Sequence, residues 1–278
     1  MPSAPVAALL LVFLPLLGGM DPVAAQSISA FKGGDAPLEI YAEEGIEWRR
    51  NEQLYIARGN AQAARGDLTV YADVMTAHYR QAETGDSEID RIDVEGNVRI
   101  VSPTETVYGD RGAYDVVNGV LVLVGDNLRL EGERDVITAR DSLEYWEQKK
   151  QAVARGAAEA VREDKWIRAD VLTAHFEPDA EDNLKLTRID AFGNVRLSTA
   201  TEFAGADKGV YYVDREFATL TGSVKITRGD NQLNGEYAEV DLAAGVSRLL
   251  SAPPGGKGSG RVRALIVPKR KPDIGGES

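Results

Sequence analysis

Polar and apolar residues alternate along most of this chain. In "NVRI" at 97–100 and "NVRL" at 194–197, Val98 and Ile100 fall on one face and Arg99 on the other, the period-two pattern of a half-buried strand. "TVYADV", "WIRADV" and "DVITARD" read the same way, and "GVLVLVG" at 119–125 is β-branched and too short for a helix. Turn residues separate these runs: "ETGD" at 83–86, "VNG" at 117–119, "RGDN" at 228–231 and "AAG" at 243–245. "SLEYWEQKKQAVARGAAEAVRE" at 142–163 has helix-forming composition, but it aligns with the more strand-like "GIEWRRNEQLYIARGNAQAARG" earlier in the chain. Both are read as strand–turn–strand. The pattern predicts an all-β protein of roughly 16 to 20 antiparallel strands.

The alignment belongs to an internal duplication. Six segments open with a glycine, at Gly59, Gly96, Gly125, Gly156, Gly193 and Gly222. Their gaps are 37, 29, 31, 37 and 29 residues, so the second set repeats the first at an offset of 97. "RGNAQA" at 58–63 returns as "RGAAEA" at 155–160, and "YADVMTAHY" at 71–79 as "RADVLTAHF" at 168–176. "RIDVEGNVRI" at 91–100 returns as "RIDAFGNVRL" at 188–197, and Gly112 and Tyr114 as Gly209 and Tyr211. Units of this size bury their faces against their neighbours. The expected architecture is therefore an elongated, twisted, partly open β-jelly roll or solenoid. Its repeat halves are placed at about 38–147 and 148–250, with a flexible loop at 251–260, a last strand at 261–268 and a loose basic tail at 269–278.

The N-terminus reads differently. Residues 6–17, "VAALLLVFLPLL", are an apolar run of 12 followed by "GGMDP" and "VAAQ". That is the length of a signal-peptide core, with Val23 and Ala25 at the −3 and −1 positions before Gln26. No Lys or Arg precedes the run, and an uncleaved anchor is the competing reading. The expectation is a signal peptide over 1–25, and a mature domain from 26 to 268 outside the cytoplasm, in the periplasm.

Charge and composition narrow the function. The formal net charge is −12 over 278 residues, which disfavours binding to nucleic acid or electrostatic docking on an anionic membrane. With no cysteine, disulfides, thiolate metal sites and cysteine nucleophiles are excluded. "GxSxG", "HExxH" and "GxxxxGK[ST]" do not occur. The two histidines, His78 and His175, and the carboxylates Asp73 and Asp170 or Glu47 and Glu144, are repeat-equivalent pairs. Such pairs lie several strands apart in a stacked fold, so a structural role is expected for each, with Asp73 and Asp170 at a strand corner or in a turn hydrogen bond. The reading is a non-enzyme with no catalytic residues, no metal and no cofactor. Trp48, Trp146 and Trp166 could serve a groove or the core equally.

The blocks "ARGNA…LTVYADVMTAHY", "IDxxGNVRI" and "LTGSVKI…NQLNGEYAEVDL" at 220–242, with the terminal "GRVRALIVP", resemble the LptA/OstA family of periplasmic lipopolysaccharide-transport proteins across most of 38–268. The resemblance implies a β-jelly roll whose inner faces hold the acyl chains of lipopolysaccharide, and head-to-tail stacking through edge strands. It also implies a bridge between an inner-membrane Lpt exporter component and an outer-membrane Lpt assembly protein. On that basis the lipid-facing residues are expected to be Val70, Val98, Ile100, Ile167, Val195, Leu197, Val224 and Ile226, with an ordinary dry core as the alternative for the same side chains. A membrane-anchored or outer-membrane partner of the same pathway, and a structural β-repeat scaffold or adhesin, are the competing functions.

Overall fold

The structure, a computed structural model, describes residues 38–81, 87–241, 243–244, 246–256 and 261–267. The expected signal peptide, its cleavage point before Gln26, the "ETGD" turn and the tail at 269–278 lie outside the described residues.

Among the described residues eighteen strands follow one another, with one 3-10 turn at Val213–Arg215. β1 (Glu39–Tyr41) and β2 (Gly45–Arg49) lead into four long strands, β3 (Leu54–Arg65), β4 (Leu68–Gln81), β5 (Ser87–Val101) and β6 (Thr106–Asp115). Short strands come next: β7 (Val120–Val124), β8 (Arg129–Glu131), β9 (Asp135–Thr138) and β10 (Ser142–Trp146). A second long set follows, with β11 (Gln151–Arg162), β12 (Lys165–Pro178), β13 (Leu184–Ser198), β14 (Glu202–Tyr212), β15 (Phe217–Arg228) and β16 (Asn231–Asp241). β17 (Val246–Leu250) and β18 (Arg263–Leu265) end the sheet. All pairings are antiparallel, and the stretch of helical composition at 142–163 forms β10, a turn and β11.

Five long strands bend at a repeated glycine, and further register shifts lie at His78/Tyr79 and His175/Phe176. The register shifts between Arg58 and Ala61, Glu95 and Val98, Arg155 and Ala158, Phe192 and Val195, and Thr221 and Val224. At each of these breaks a glycine and its successor both take the left-handed conformation, as with Gly96 (φ 79°) and Asn97 (φ 47°), or Gly193 (φ 76°) and Asn194 (φ 49°). Two such residues in succession bulge and turn the strand. Glycine is required there for space as well as for φ. A Cβ on Gly96 would lie 2.1 Å from Asp73 Oδ2, and one on Gly193 would lie 2.2 Å from Asp170 Oδ2. The same two carboxylates accept hydrogen bonds from the neighbouring amides, Asn97 Nδ2 to Asp73 at 2.9 and 3.1 Å and Asn194 Nδ2 to Asp170 at 2.9 and 3.2 Å. Asp73 and Asp170 therefore stand at strand corners, one of the two roles expected for them.

The corners divide the sheet into two facing walls. The segments before the corner of odd-numbered long strands pair with the segments after the corner of even-numbered ones. One wall thus runs β2, β3, β4, β5, β6, β7, β10, β11 and on to β17, while β1, β8, β9 and β18 join the opposite wall. A continuous apolar core lies between the walls, and Leu68, Val98, Leu123, Val195 and Val224 are its most deeply buried large side chains. The repeat boundary falls ahead of the expected residue 148. β9 pairs with β11 in the register that β1 uses with β3, Thr138↔Glu159 matching Tyr41↔Gln62, so the second unit opens at Asp135.

Candidate functional site

The interior faces of the two walls are built by strand alternation. On β5, Val98 and Ile100 point inward and Arg99 outward; on β13, Val195 points inward and Arg196 outward. All eight residues expected to face a trough lie on the inner side, but not in one place. Val70 and Ile100 border a small apolar void of about 40 Å³ in the first repeat. Ile167 borders a chamber of about 340 Å³ in the second. Val98, Val195 and Val224 each stand two residues after a corner glycine and are 1% exposed, so they pack as dry core. Ile226 is buried and Leu197 packs half-buried against the same core.

The two repeats share a backbone plan, but the larger chamber is also lined by Glu105 and Leu130 of the first repeat, and side chains at equivalent positions differ around it. In the first repeat Tyr55 stacks on Trp48 at 5.6 Å between ring centroids and leans on Tyr79 at 5.0 Å, while Trp48 Nε1 donates to Tyr79 Oη at 2.8 Å. These rings plug that end of the interior. The position equivalent to Tyr55 is Ala152, which lines the larger chamber. One missing phenol ring leaves room between Leu172, Phe176, Leu186 and Ile189 on one wall and Ile137, Ala160 and Ile167 on the other. A partly open space of this size with mostly apolar walls suits alkyl chains, which gain about 0.8 kcal/mol per buried CH₂.

Polar groups gather at one lip of the chamber. Arg162, 8% exposed, donates Nε–H to Asp135 Oδ1 at 2.5 Å and its terminal nitrogen to Asp135 Oδ2. Glu105 lies beside them, in the tight turn "SPTE" where its backbone N–H reaches Ser102 Oγ at 3.1 Å. Burial, and secondarily the charge of Asp135, push the Glu105 carboxyl up to about 7. Its repeat equivalent, Glu202 in "TATE", is likewise raised by burial, with Arg228 opposing the shift. Neither glutamate stands out by residue type among 44 acidic residues. The signal that finds them is the recurrence of the turn, Ser/Thr-x-Thr-Glu, at the repeat offset.

The raised Glu105 carboxyl has a measurable consequence. The fold holds its proton to higher pH than the unfolded chain does, so charging it opposes folding. That cost is absent below about pH 4.5, grows as pH rises and is complete above about 7. Glu105→Gln should therefore stabilise the protein at pH 8 by about 1–2 kcal/mol and leave it unchanged at pH 4, as measured by urea denaturation at both values. Equal effects at both pH values would remove the buried-acid account.

The histidines form separate, equivalent clusters. His78 Nε2 lies 2.8 Å from Asp93 Oδ2 with Arg91 on the same carboxylate, and His175 Nε2 lies 2.9 Å from Asp190 Oδ2 with Arg188. β4 and β12 are six strand steps apart, roughly 29 Å at the usual strand spacing, so the two histidines share no chemistry. Among the described residues no group of three or more His, Asp or Glu could hold a metal ion.

The family comparison finds the repeat twice along the chain. The sequence profile described as "LptA/(LptD N-terminal domain) LPS transport protein" matches residues 39–142 and again 137–246. The second match begins near the β9 boundary. An uncharacterised protein of Rhizobium meliloti (strain 1021) is 28% identical over 106 residues, covering 37% of this chain and 56% of that protein. The LPS-assembly protein LptD of Nitrosomonas eutropha is 30% identical over 96 residues, covering 34% of this chain and 13% of that protein. The chain thus spans about half of the first relative and a small part of the second. Among solved structures, LptH of Pseudomonas aeruginosa, the LptA homologous periplasmic component of its lipopolysaccharide transport device, is 13% identical. The match covers 84% of this chain and 97% of that one with a TM-score of 0.22.

Proposed function

The chain belongs to the LPS transport family of LptA and the LptD N-terminal domain, and from that premise we propose that it is a periplasmic carrier that shields lipopolysaccharide acyl chains in its apolar interior. The supporting observation is the chamber of the second repeat, walled by Ile137, Ile167, Leu172, Phe176, Leu186 and Ile189. In this reading the acyl chains enter beside Ala152, and the same interior extends past Val70 and Ile100 toward the first repeat. Transfer needs no covalent step. A photoreactive benzoylphenylalanine in place of Phe176 tests it in lipopolysaccharide-producing cells. Crosslinking to lipopolysaccharide at Phe176, and none at the outward-facing Arg196, is the expected result. Equal labelling at both positions, or none at Phe176, would refute it.

The carrier acts as a bridge by strand addition at its two edges, between an inner-membrane exporter component and an outer-membrane assembly protein, with copies of itself as further partners. Within the chain, β10 docks on β7 with Leu143↔Leu123 and Tyr145↔Leu121. The counterpart of β10 is β2, where Ile46 and Trp48 occupy the equivalent positions and are 53% and 49% exposed. β2 is bonded to β3 along one side, and an edge of this kind accepts a partner strand. At the other end Val246, Leu265 and Ile266 are also exposed. The internal β7–β10 joint thus supplies a template for an external one. Ile46→Lys should weaken association with the preceding partner at least tenfold without altering thermal stability, read by analytical ultracentrifugation and calorimetry. Unchanged association would place the joint elsewhere.

A further inference from the structure

The outer face of the wall that carries β4 to β10 holds a second concavity, about 980 Å³, on the opposite side from the apolar interior. Its floor is the outward side of β6 and β7, made of the small residues Ala113, Val120 and Val122, and the indole of Trp146 on β10 bounds one side.

The duplication shows that this groove is a departure from the shared plan. At the equivalent positions the second repeat carries Tyr212 for Asp115 and Phe217 for Val120, and Arg215 replaces Asn118. There the Arg215 guanidinium lies 5.4 Å from the centre of the Tyr212 ring and 5.5 Å from that of Phe217, which covers the face. In the first repeat those three positions carry no ring, and the groove is edged with groups that both donate and accept hydrogen bonds.

We infer that this groove is a saccharide-binding site, taking a hydroxyl-rich chain laid across β6 and β7 against Trp146. The lining chemistry carries the assignment. The amides Gln53, Asn118 and Gln148 offer paired donors and acceptors, as hydroxyl-rich ligands require. The charged groups around them are of both signs and nearly balanced, Glu52, Asp90 and Asp115 against Arg91 and Lys149, which suits a neutral polyol better than a polyanion or a basic peptide. Trp146 adds a flat apolar surface, with the Lys149 ammonium 4.0 Å from its ring centre and its Nε1–H donated to Glu144 at 3.0 Å. Asp115 is pre-set as an acceptor. Hydrogen bonds from the Asn118 side chain and backbone hold its carboxyl below the ordinary range. The site lies outside the lipid interior, so it stands whether or not acyl chains bind there.

The chain has three tryptophans and so gives three indole N–H signals by NMR, which Trp146→Phe assigns. The probe is lipid-free core oligosaccharide released from lipopolysaccharide by mild acid, with maltoheptaose alongside it. Saturable movement of the Trp146 signal by either probe, with Trp166 unmoved, is the expected result. Val120→Phe and, separately, Asn118→Arg, each borrowing the second repeat's own residue on an exposed face, should weaken that response at least tenfold. If neither probe moves Trp146 at tens of millimolar, or if both variants respond like the parent, the assignment is overturned.

Discussion

Tyrosine in place of Ala152 should abolish the capacity of the second repeat for alkyl chains and leave the fold intact. The first repeat already carries Tyr55 at the equivalent position, stacked on Trp48 and leaning on Tyr79, and the void there is about 40 Å³. The second repeat has Tyr145 and Phe176 in place of Trp48 and Tyr79, so a phenol ring at 152 meets aromatic neighbours rather than strain. Displacing about four methylenes from the chamber forfeits about 3 kcal/mol, roughly a hundredfold in Kd. Fluorescence titration with a long-chain lipid A analogue measures this, and circular dichroism checks the fold. The reciprocal change, Tyr55→Ala, should open a chamber in the first repeat and raise binding there. It should also destabilise the protein by about 3 kcal/mol, because Trp48 loses its stacking partner. Unaltered lipid affinity in the Ala152→Tyr variant would remove the chamber from the binding site.

Gly193→Ala should be among the most destabilising single-methyl changes in the second repeat. Gly193 has φ 76°, and the added Cβ would lie 2.2 Å from Asp170 Oδ2 and 2.8 Å from its Cγ. The carboxylate cannot retreat freely, since Asn194 Nδ2 holds both of its oxygens. Left-handed strain and the clash together should cost about 2–4 kcal/mol in urea denaturation. In an Asp170→Ala background the steric part vanishes and the conformational part remains, so the cost should fall to about 1 kcal/mol. The same pair at Gly96 and Asp73 should behave alike, with 2.1 Å between the added Cβ and Asp73 Oδ2. A loss at Gly193 that is the same in both backgrounds would show that the Asp170 carboxylate is not what reserves the corner for glycine.

Much of the fold was legible because the repeat offset and the period-two alternation are properties of the sequence itself. Five of the six glycines that open the repeated segments, at 59, 96, 156, 193 and 222, stand at bends that the sequence alone did not announce, while Gly125 follows the end of β7; Asp73 and Asp170 sit beside two of those bends. Alternation also told which side of each strand is apolar. It could not tell whether an inward side chain meets another side chain or empty space. Val195 and Ile167 look alike in sequence, yet one is sealed core and the other borders the chamber. That distinction depends on what stands across the interior, here on Ala152, whose small size carries no meaning until it is set against Tyr55. The lip was hidden for a similar reason. Glu105, Asp135 and Arg162 are far apart in the chain and meet only when β6, β9 and β11 align. The outer groove is visible only as a difference between repeats, through Val120 against Phe217 and Asp115 against Tyr212.

The central claim is that the interior of this protein carries lipid in the second repeat. Native mass spectrometry tests it most directly, on the parent protein and the Ala152→Tyr variant purified side by side from a lipopolysaccharide-producing cell, with the released lipids identified. The account predicts lipid A-bearing species near one per chain on the parent and a loss of most of that occupancy in the variant. A parent protein free of lipid that also fails to take up added lipopolysaccharide, or equal lipid on both proteins, would contradict it.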